Sequence, residues 1–151
     1  MRLVVPLLVC AIAGDVQAQV EVVDAPLEEL QAALESGATT SVRLTRAYLR
    51  RIAAYDRSGP TLNSIVSINP MVLEDAATAD EERARGIVRS PLHGIPIIVK
   101  DNVDVAGLPT TAGSLALIRN IPSSDAALVR QLRQAGAVSY THLTLPTNRE
   151  V

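Results

Sequence analysis

A short, continuous apolar run constrains the fold of this chain most. Residues 95–99 read IPIIV, and four of these five residues are β-branched. A strand with one solvated face would alternate apolar and polar residues, whereas an unbroken apolar run is typical of a strand covered on both faces. Because such strands occur in parallel or mixed sheets flanked by helices, the run predicts an α/β fold.

The rest of the chain supplies helices to pack on such a sheet. Apolar periodicity together with proline, acidic and glycine boundary residues predicts four helices, at residues 26–37, 41–56, 71–85 and 123–136. The last of these is expected to begin with a serine cap, to have Leu128, Val129 and Leu132 as its apolar stripe, and to end at Gly136. Alternation in LNSIVSIN, residues 62–69, predicts a second strand.

Composition excludes several classes of function. The formal net charge of −2 at pH 7 provides no basic field for nucleic acid, so we expect no nucleic-acid partner. The sequence contains no metal-ligand cluster, no phosphate-binding glycine loop and no dinucleotide fingerprint. We therefore expect neither a metal nor another cofactor.

The N-terminus has the pattern of a secretory signal peptide. Arg2 precedes the apolar run LVVPLLVCAIAG, and a small-x-small step then ends at Ala18. Residues 1–18 are accordingly predicted to direct export to the periplasm or the outside of the cell. The run is too short for stable membrane insertion as a spanning helix. A buried N-terminal strand or helix is the alternative interpretation.

Lys100, at the end of the IPIIV run, is the only lysine among fourteen basic residues. Arginine stays protonated in proteins, whereas a buried lysine can lose its proton and act as a base. The position therefore suits a catalytic base. It equally suits a solvated strand end whose cation pairs with Asp101 or Asp104, and the residues alone leave both interpretations open.

Two other polar residues near the run are candidates for chemistry. His93 sits in LHG at the turn into the strand, where a structural, hydrogen-bonding histidine is expected rather than a general base. Ser114 and its neighbouring threonines lie among glycine and proline without a nearby histidine. That setting favours turn chemistry over a nucleophile.

The longest informative stretch is PLHGIPIIVKDNVDVAGLPTTAGS, residues 91–114. It resembles the lysine-bearing segment of the amidase signature family. LQAALESGATTSVRLTRAYLRRIAAYD, residues 30–56, and DAALVRQLRQAGAV, residues 125–138, look like the N-terminal helices and a later helix of the same family. The resemblance covers residues 20–138, so residues 19–138 are interpreted as the N-terminal part of an amidase domain.

The resemblance implies an α/β fold with a central mixed sheet, incomplete in this chain, and hydrolysis of a small-molecule amide through a Ser-Ser-Lys relay. By carry-over, Lys100 is the general base. It takes a proton from a bridging serine, which activates the nucleophilic serine that forms an acyl-enzyme. Both serines belong downstream of the lysine segment and are absent here, so this chain is expected to be inactive alone.

The C-terminal residues depart from the family pattern. VSYTHLTLPT, residues 138–147, resembles the in-frame translation of a transposon-end adapter used in sequencing libraries. We therefore expect residues 139–151 to be artefactual, the alternative being a divergent natural C-terminus. Without its further partner strands, a fragment of this kind is not expected to form a stable domain by itself.

Two other functions agree with parts of the sequence. The segment could belong to the amidase subunit of a glutamyl-tRNA amidotransferase, although its signal peptide disagrees with a cytosolic tRNA substrate. It could also form a non-catalytic exported binding module built from the same helices.

Overall fold

The computed structural model describes residues 22–143, and the side chains among them up to residue 138. The elements are α1 (Leu27–Glu35), α2 (Ser41–Tyr55), β1 (Ile65–Ile68), α3 (Val72–Ala84), β2 (Pro96–Lys100), a 3₁₀ helix (Leu115–Leu117), α4 (Ala127–Gln134) and β3 (Val138–Leu143). The four predicted helices and both predicted strands all form. The predicted signal peptide, residues 1–18, lies outside the described residues.

The three strands form one mixed sheet in the order β1, β3, β2. The central strand β3 runs antiparallel to β1 and parallel to β2. At one end of the sheet, Leu143 pairs with Ile65 on one side and with Lys100 on the other. Helices and a mixed sheet in this arrangement confirm the predicted α/β class.

The predicted burial of the IPIIV run on both faces is only partly right. Ile95 and Val99 are buried, but the side chain of Ile98 is 46% exposed. The reason is that Ile98 lines an open cavity between α2 and β2, so this part of the strand is not fully covered by the helix. The residue types thus predicted the strand correctly, but the prediction that both of its faces are buried was too strong.

A carboxylate of α3 caps α2 and ties the two helices together. Asp80 accepts hydrogen bonds from the first two backbone N–H groups of α2, at 2.7 Å from Ser41 and 3.0 Å from Val42. These groups have no partner within the helix, and a negative charge also complements the helix dipole there. The Ser41 hydroxyl donates to the Gly94 carbonyl at 2.6 Å, which joins α2 to the turn before β2.

Three small apolar clusters form the core. The first packs α1 and α2 on the start of β2 and consists of Leu30, Leu34, Leu44 and Ile95. The second packs α3 on β3 through Val72, Ala76 and Val138. The third joins the end of β2, the following loop and α4 through Val99, Val105, Leu108 and Val129. This third cluster fixes the strand end that carries Lys100.

The predicted serine cap of the last helix is wrong. α4 begins at Ala127, and the preceding residue, Ala126, makes no side-chain capping bond. The nearby Asp125 carboxylate instead accepts a hydrogen bond from the Ala106 N–H at 2.8 Å and pairs with Arg133 at 3.0 Å. Of the predicted apolar stripe of α4, Val129 is buried and Leu132 is half-buried, but Leu128 is 53% exposed, which corrects the prediction for Leu128. Gly136 ends the helix as predicted, with a φ of +81°.

Within residues 22–143, no helix combines the length and the apolar character needed to cross a bilayer. The described residues also contain no group of three or more histidine, cysteine, aspartate or glutamate side chains placed to hold a metal ion.

Candidate active site at the end of β2

Lys100 is the last residue of β2, beside the end of the parallel strand β3. The carboxyl ends of parallel strands are where α/β proteins place their ligands. The Lys100 side chain is exposed, as the interpretation of a solvated strand end requires. However, no ion pair among the described side chains includes Lys100, so the predicted pairing with Asp101 or Asp104 is not seen.

Asp101 follows Lys100 directly and is only 1% exposed. Its Oδ1 accepts a hydrogen bond from the Thr111 N–H at 2.8 Å. Its Oδ2 accepts from the Thr111 hydroxyl and, at 3.4 Å, from the Gly113 N–H. Both carboxylate oxygens therefore bind the loop ten to twelve residues downstream, a role of Asp101 that was not predicted from the sequence.

The bound loop has an unusual backbone. Ala112 and Gly113 both have positive φ, +48° and +73°, and the Ala112 N–H donates to the Asp101 carbonyl at 2.9 Å. A left-handed conformation costs a non-glycine residue about 1–2 kcal/mol. Such residues persist where surrounding contacts hold them, and they concentrate at functional sites. Here the contacts come from Asp101.

Further hydrogen bonds connect residues within the segment between β2 and α4. The Thr110 N–H donates to the Asn120 carbonyl at 2.9 Å, and the Asn120 side-chain amide donates back to the Thr110 carbonyl at 3.1 Å. The Ala126 N–H donates to the Asp104 carbonyl at 2.8 Å. Ser114 precedes the 3₁₀ helix, and its N–H donates to the Thr111 carbonyl at 2.8 Å, in agreement with the predicted turn role.

His93 has the structural role that its position predicts. The ring is buried, and its Nε2 lies 3.0 Å from the Ala79 carbonyl oxygen, the geometry of an Nε2–H donor. The Arg83 guanidinium donates to the His93 carbonyl at 2.9 Å. Because His93 precedes β2 and Lys100 ends it, the two side chains belong to opposite ends of the strand. The structure therefore does not bring this histidine and the lysine together.

Two carboxyl groups have pKa values lowered by their surroundings, and both are structural. A hydrogen bond from Arg89 holds the pKa of Glu82 below its ordinary value, against the effect of burial. Burial alone would raise the pKa of Asp56, but hydrogen bonds from Ser64 and Ile65 hold it below its ordinary value. The Asp56 bonds join the end of α2 to the start of β1, on the same end of the sheet as Lys100.

Cavity volume does not identify the site. Cavities of about 520 and 580 Å³ open along α2, and neither is lined by Lys100 or Asp101. The lining of the first includes four arginines of α2, and the lining of the second is mainly apolar and includes Ile98. The candidate active site is therefore assigned to the end of β2, because a lysine, a buried carboxylate and a strained loop lie close together there.

Comparison with known proteins decides the family. A model of the amidase family matches residues 43–148, which contain β2, the bound loop and β3. The chain belongs to the amidase family. This confirms the resemblance found in the sequence. The match extends into residues 139–148, which we expect to be artefactual, and the origin of these residues stays a prediction.

Individual amidase relatives match the same region. A Schizosaccharomyces pombe protein provisionally named an amidase is 48% identical over 123 residues, which are 81% of this chain and 21% of that protein. The X-ray structure of peptide amidase from Stenotrophomonas maltophilia matches with a TM-score of 0.77 at 47% identity, over 80% of this chain and 25% of the other. A glutamyl-tRNA(Gln) amidotransferase subunit from Chloroflexus aurantiacus is 43% identical over 109 residues, 72% of this chain and 22% of the other.

The amidase chain thus spans a fifth to a quarter of the length of these relatives. Its three-stranded mixed sheet and flanking helices correspond to one part of the fold of the larger enzymes. The predicted fold class, an α/β part of the amidase fold, is therefore confirmed.

Proposed function

We propose that this chain is the lysine-bearing N-terminal part of an exported amidase that hydrolyses small-molecule carboxamides, with Lys100 as general base of a Ser-Ser-Lys relay. The observation that carries the proposal is that the only lysine of an amidase-family chain ends a strand of the central sheet. The position suits a base because it combines a fixed backbone with an unpaired amine among the described side chains.

In the proposed relay, the neutral amine of Lys100 accepts a proton from the bridging serine. That serine accepts one from the nucleophilic serine, whose oxygen attacks the amide carbonyl. The proton then returns to the departing ammonia or amine, leaving an acyl-enzyme that water hydrolyses. We place both serines in polypeptide beyond this chain, which spans 21% of the S. pombe relative. The chain alone is then inactive.

The relay also requires that the amine lose its contact with water. Desolvation favours the neutral form of a lysine, and a base must be neutral to accept a proton. Lys100 and Ile98 are both exposed along β2 among the residues that the structure describes. We propose that other parts of the enzyme cover this edge and complete the site.

The test uses the protein encoded by the complete reading frame, referred to below as the complete enzyme. We expect it to release ammonia from simple carboxamides, and we expect Lys100→Ala to lower kcat by about a hundred- to ten-thousandfold. Arg119→Ala is the matched control, because it removes an exposed cation from the segment that follows β2. Absence of ammonia release, or full activity of Lys100→Ala, would contradict the proposal.

A second candidate is the amidase subunit of a glutamyl-tRNA amidotransferase, favoured by the identity to the Chloroflexus protein. Fusing Met1 to Gln19 to a reporter separates the two, because the amidase proposal requires export and the tRNA substrate is cytosolic. Retention of the reporter in the cytosol, together with ammonia transfer to glutamyl-tRNA by the complete enzyme, would favour the second candidate.

A further inference from the structure

We propose that Asp101 is a positioning residue for Lys100, because it holds loop 111–113 against the strand end that carries the lysine. The inference rests on the proposed function of Lys100 as a base. Asp101 does not need to touch the substrate for this role. It acts on the backbone from which the Lys100 side chain extends.

The carboxylate accepts several hydrogen bonds from loop 111–113. Thr111 donates to it through both its N–H and its hydroxyl, and the Gly113 N–H donates to it and to the Thr111 oxygen, the latter at 3.1 Å. Every one of these groups is a donor toward Asp101. An asparagine of the same size would keep one acceptor oxygen, turn an NH₂ group toward the Gly113 N–H and remove the negative charge. The two backbone N–H donors of this network therefore favour a carboxylate over a neutral amide.

Lys100 and Asp101 are also held by hydrogen bonds of their main-chain carbonyl groups. The Asp101 carbonyl accepts from the Ala112 N–H at 2.9 Å, and the Lys100 carbonyl accepts from the Val103 N–H at 3.0 Å. On the other side of the lysine, Val99 is buried in the third core cluster. Lys100 thus lies between a residue fixed by packing and a residue fixed by hydrogen bonds, while its own side chain is exposed.

Asp125 provides a matched comparison. It is a second carboxylate that anchors the same segment, through the Ala106 N–H at 2.8 Å and Arg133 at 3.0 Å. It belongs to the region before α4 rather than to the end of β2. A purely structural function of Asp101 predicts that both carboxylates matter in the same way, whereas positioning predicts an effect on turnover from Asp101 alone.

The experiment compares kcat, KM and melting temperature of the complete enzyme with Asp101→Asn, Thr111→Val, Thr111→Ser and Asp125→Asn. We expect Asp101→Asn and Thr111→Val to lower kcat about a hundredfold with KM changed less than about threefold, since a displacement near 1 Å costs this much. Thr111→Ser keeps the hydroxyl and should restore most of kcat. Asp125→Asn should lower the melting temperature while leaving kcat near that of the wild type.

Several results would overturn the inference. They are an unchanged kcat in Asp101→Asn, a loss confined to KM, and equal losses of kcat in Asp101→Asn and Asp125→Asn. Should Asp101→Asn fail to fold, Thr111→Val decides, since it leaves the carboxylate in place. An active Lys100→Ala enzyme would refute the proposed function itself, whereas an inactive Lys100→Ala with an active Asp101→Asn would refute only the positioning role.

Discussion

Replacement of Gly136 by alanine should destabilise the region around His93 severely. Gly136 has a φ of +81°, where alanine costs about 1–2 kcal/mol. A Cβ at this position would lie 2.3 Å from Nδ1 and 3.2 Å from Cα of His93. Because the second contact is with backbone, rotating the ring cannot relieve it, and such overpacking adds about 1–3 kcal/mol. The free energy of local unfolding of the region around His93 should therefore fall by about 2–5 kcal/mol in total.

Gly86 is the matched control, because it ends α3 with a φ of +80° and a Cβ added to it would meet nothing within 4 Å. Gly86→Ala should lower the free energy of unfolding only by the cost of placing alanine at a positive φ, about 1–2 kcal/mol. Hydrogen exchange reports the difference through two amides near His93, the Gly94 N–H bonded to the Gly136 carbonyl at 2.8 Å and the Val138 N–H bonded to the Ile95 carbonyl at 2.9 Å.

In the complete enzyme, we expect these two amides to exchange about ten- to a hundredfold faster in Gly136→Ala than in Gly86→Ala, since about 1.4 kcal/mol is a factor of ten. Equal exchange in the two variants would refute the steric reasoning. It would mean that the turn carrying Gly136 moves away from His93 without cost.

Two further predictions concern stability of the complete enzyme. Because the pKa of Asp56 is lowered on folding, the stability it contributes is present above its unfolded pKa and is lost as pH falls through its folded pKa. Asp56→Asn should therefore destabilise the protein at pH 7 by about 1–3 kcal/mol and lessen the loss of stability on acidification, measured by urea unfolding across pH. Leu44→Ala, at a residue 1% exposed, should cost about 2–5 kcal/mol, whereas the volume-conserving Leu44→Met should cost less than about 1.5 kcal/mol; equal costs would contradict the assigned core.

Local patterns were sufficient to predict the four α-helices, β1, β2 and the family, but not the central strand β3 or the 3₁₀ helix. The helices follow from apolar periodicity, and β2 follows from the β-branched run that ends at Lys100. The exposure of Ile98 was not predictable from that run, because coverage of a strand face depends on how closely other elements pack on it. The exposure of Leu128 has a similar cause, since the eight-residue α4 meets the core mainly through Val129.

The contacts of the acidic residues were missed because they join segments far apart in sequence. Asp101 binds Thr111, and Asp125 binds Ala106, which lies 19 residues earlier. No periodicity encodes such pairs. The one available signal was a charged residue directly after an apolar strand, a position where a carboxylate is either solvated or bound by a returning loop.

The central claim is that Lys100 accepts a proton, and ammonia release by Lys100→Ala and Lys100→Arg in the complete enzyme tests it most directly. Both variants should lose at least about a hundredfold in kcat, since arginine keeps a cation but cannot act as a base. Added methylamine should restore part of the activity of Lys100→Ala and none of that of Lys100→Arg. Retention of near wild-type activity by Lys100→Arg would contradict the account, because the position would then require only a positive charge.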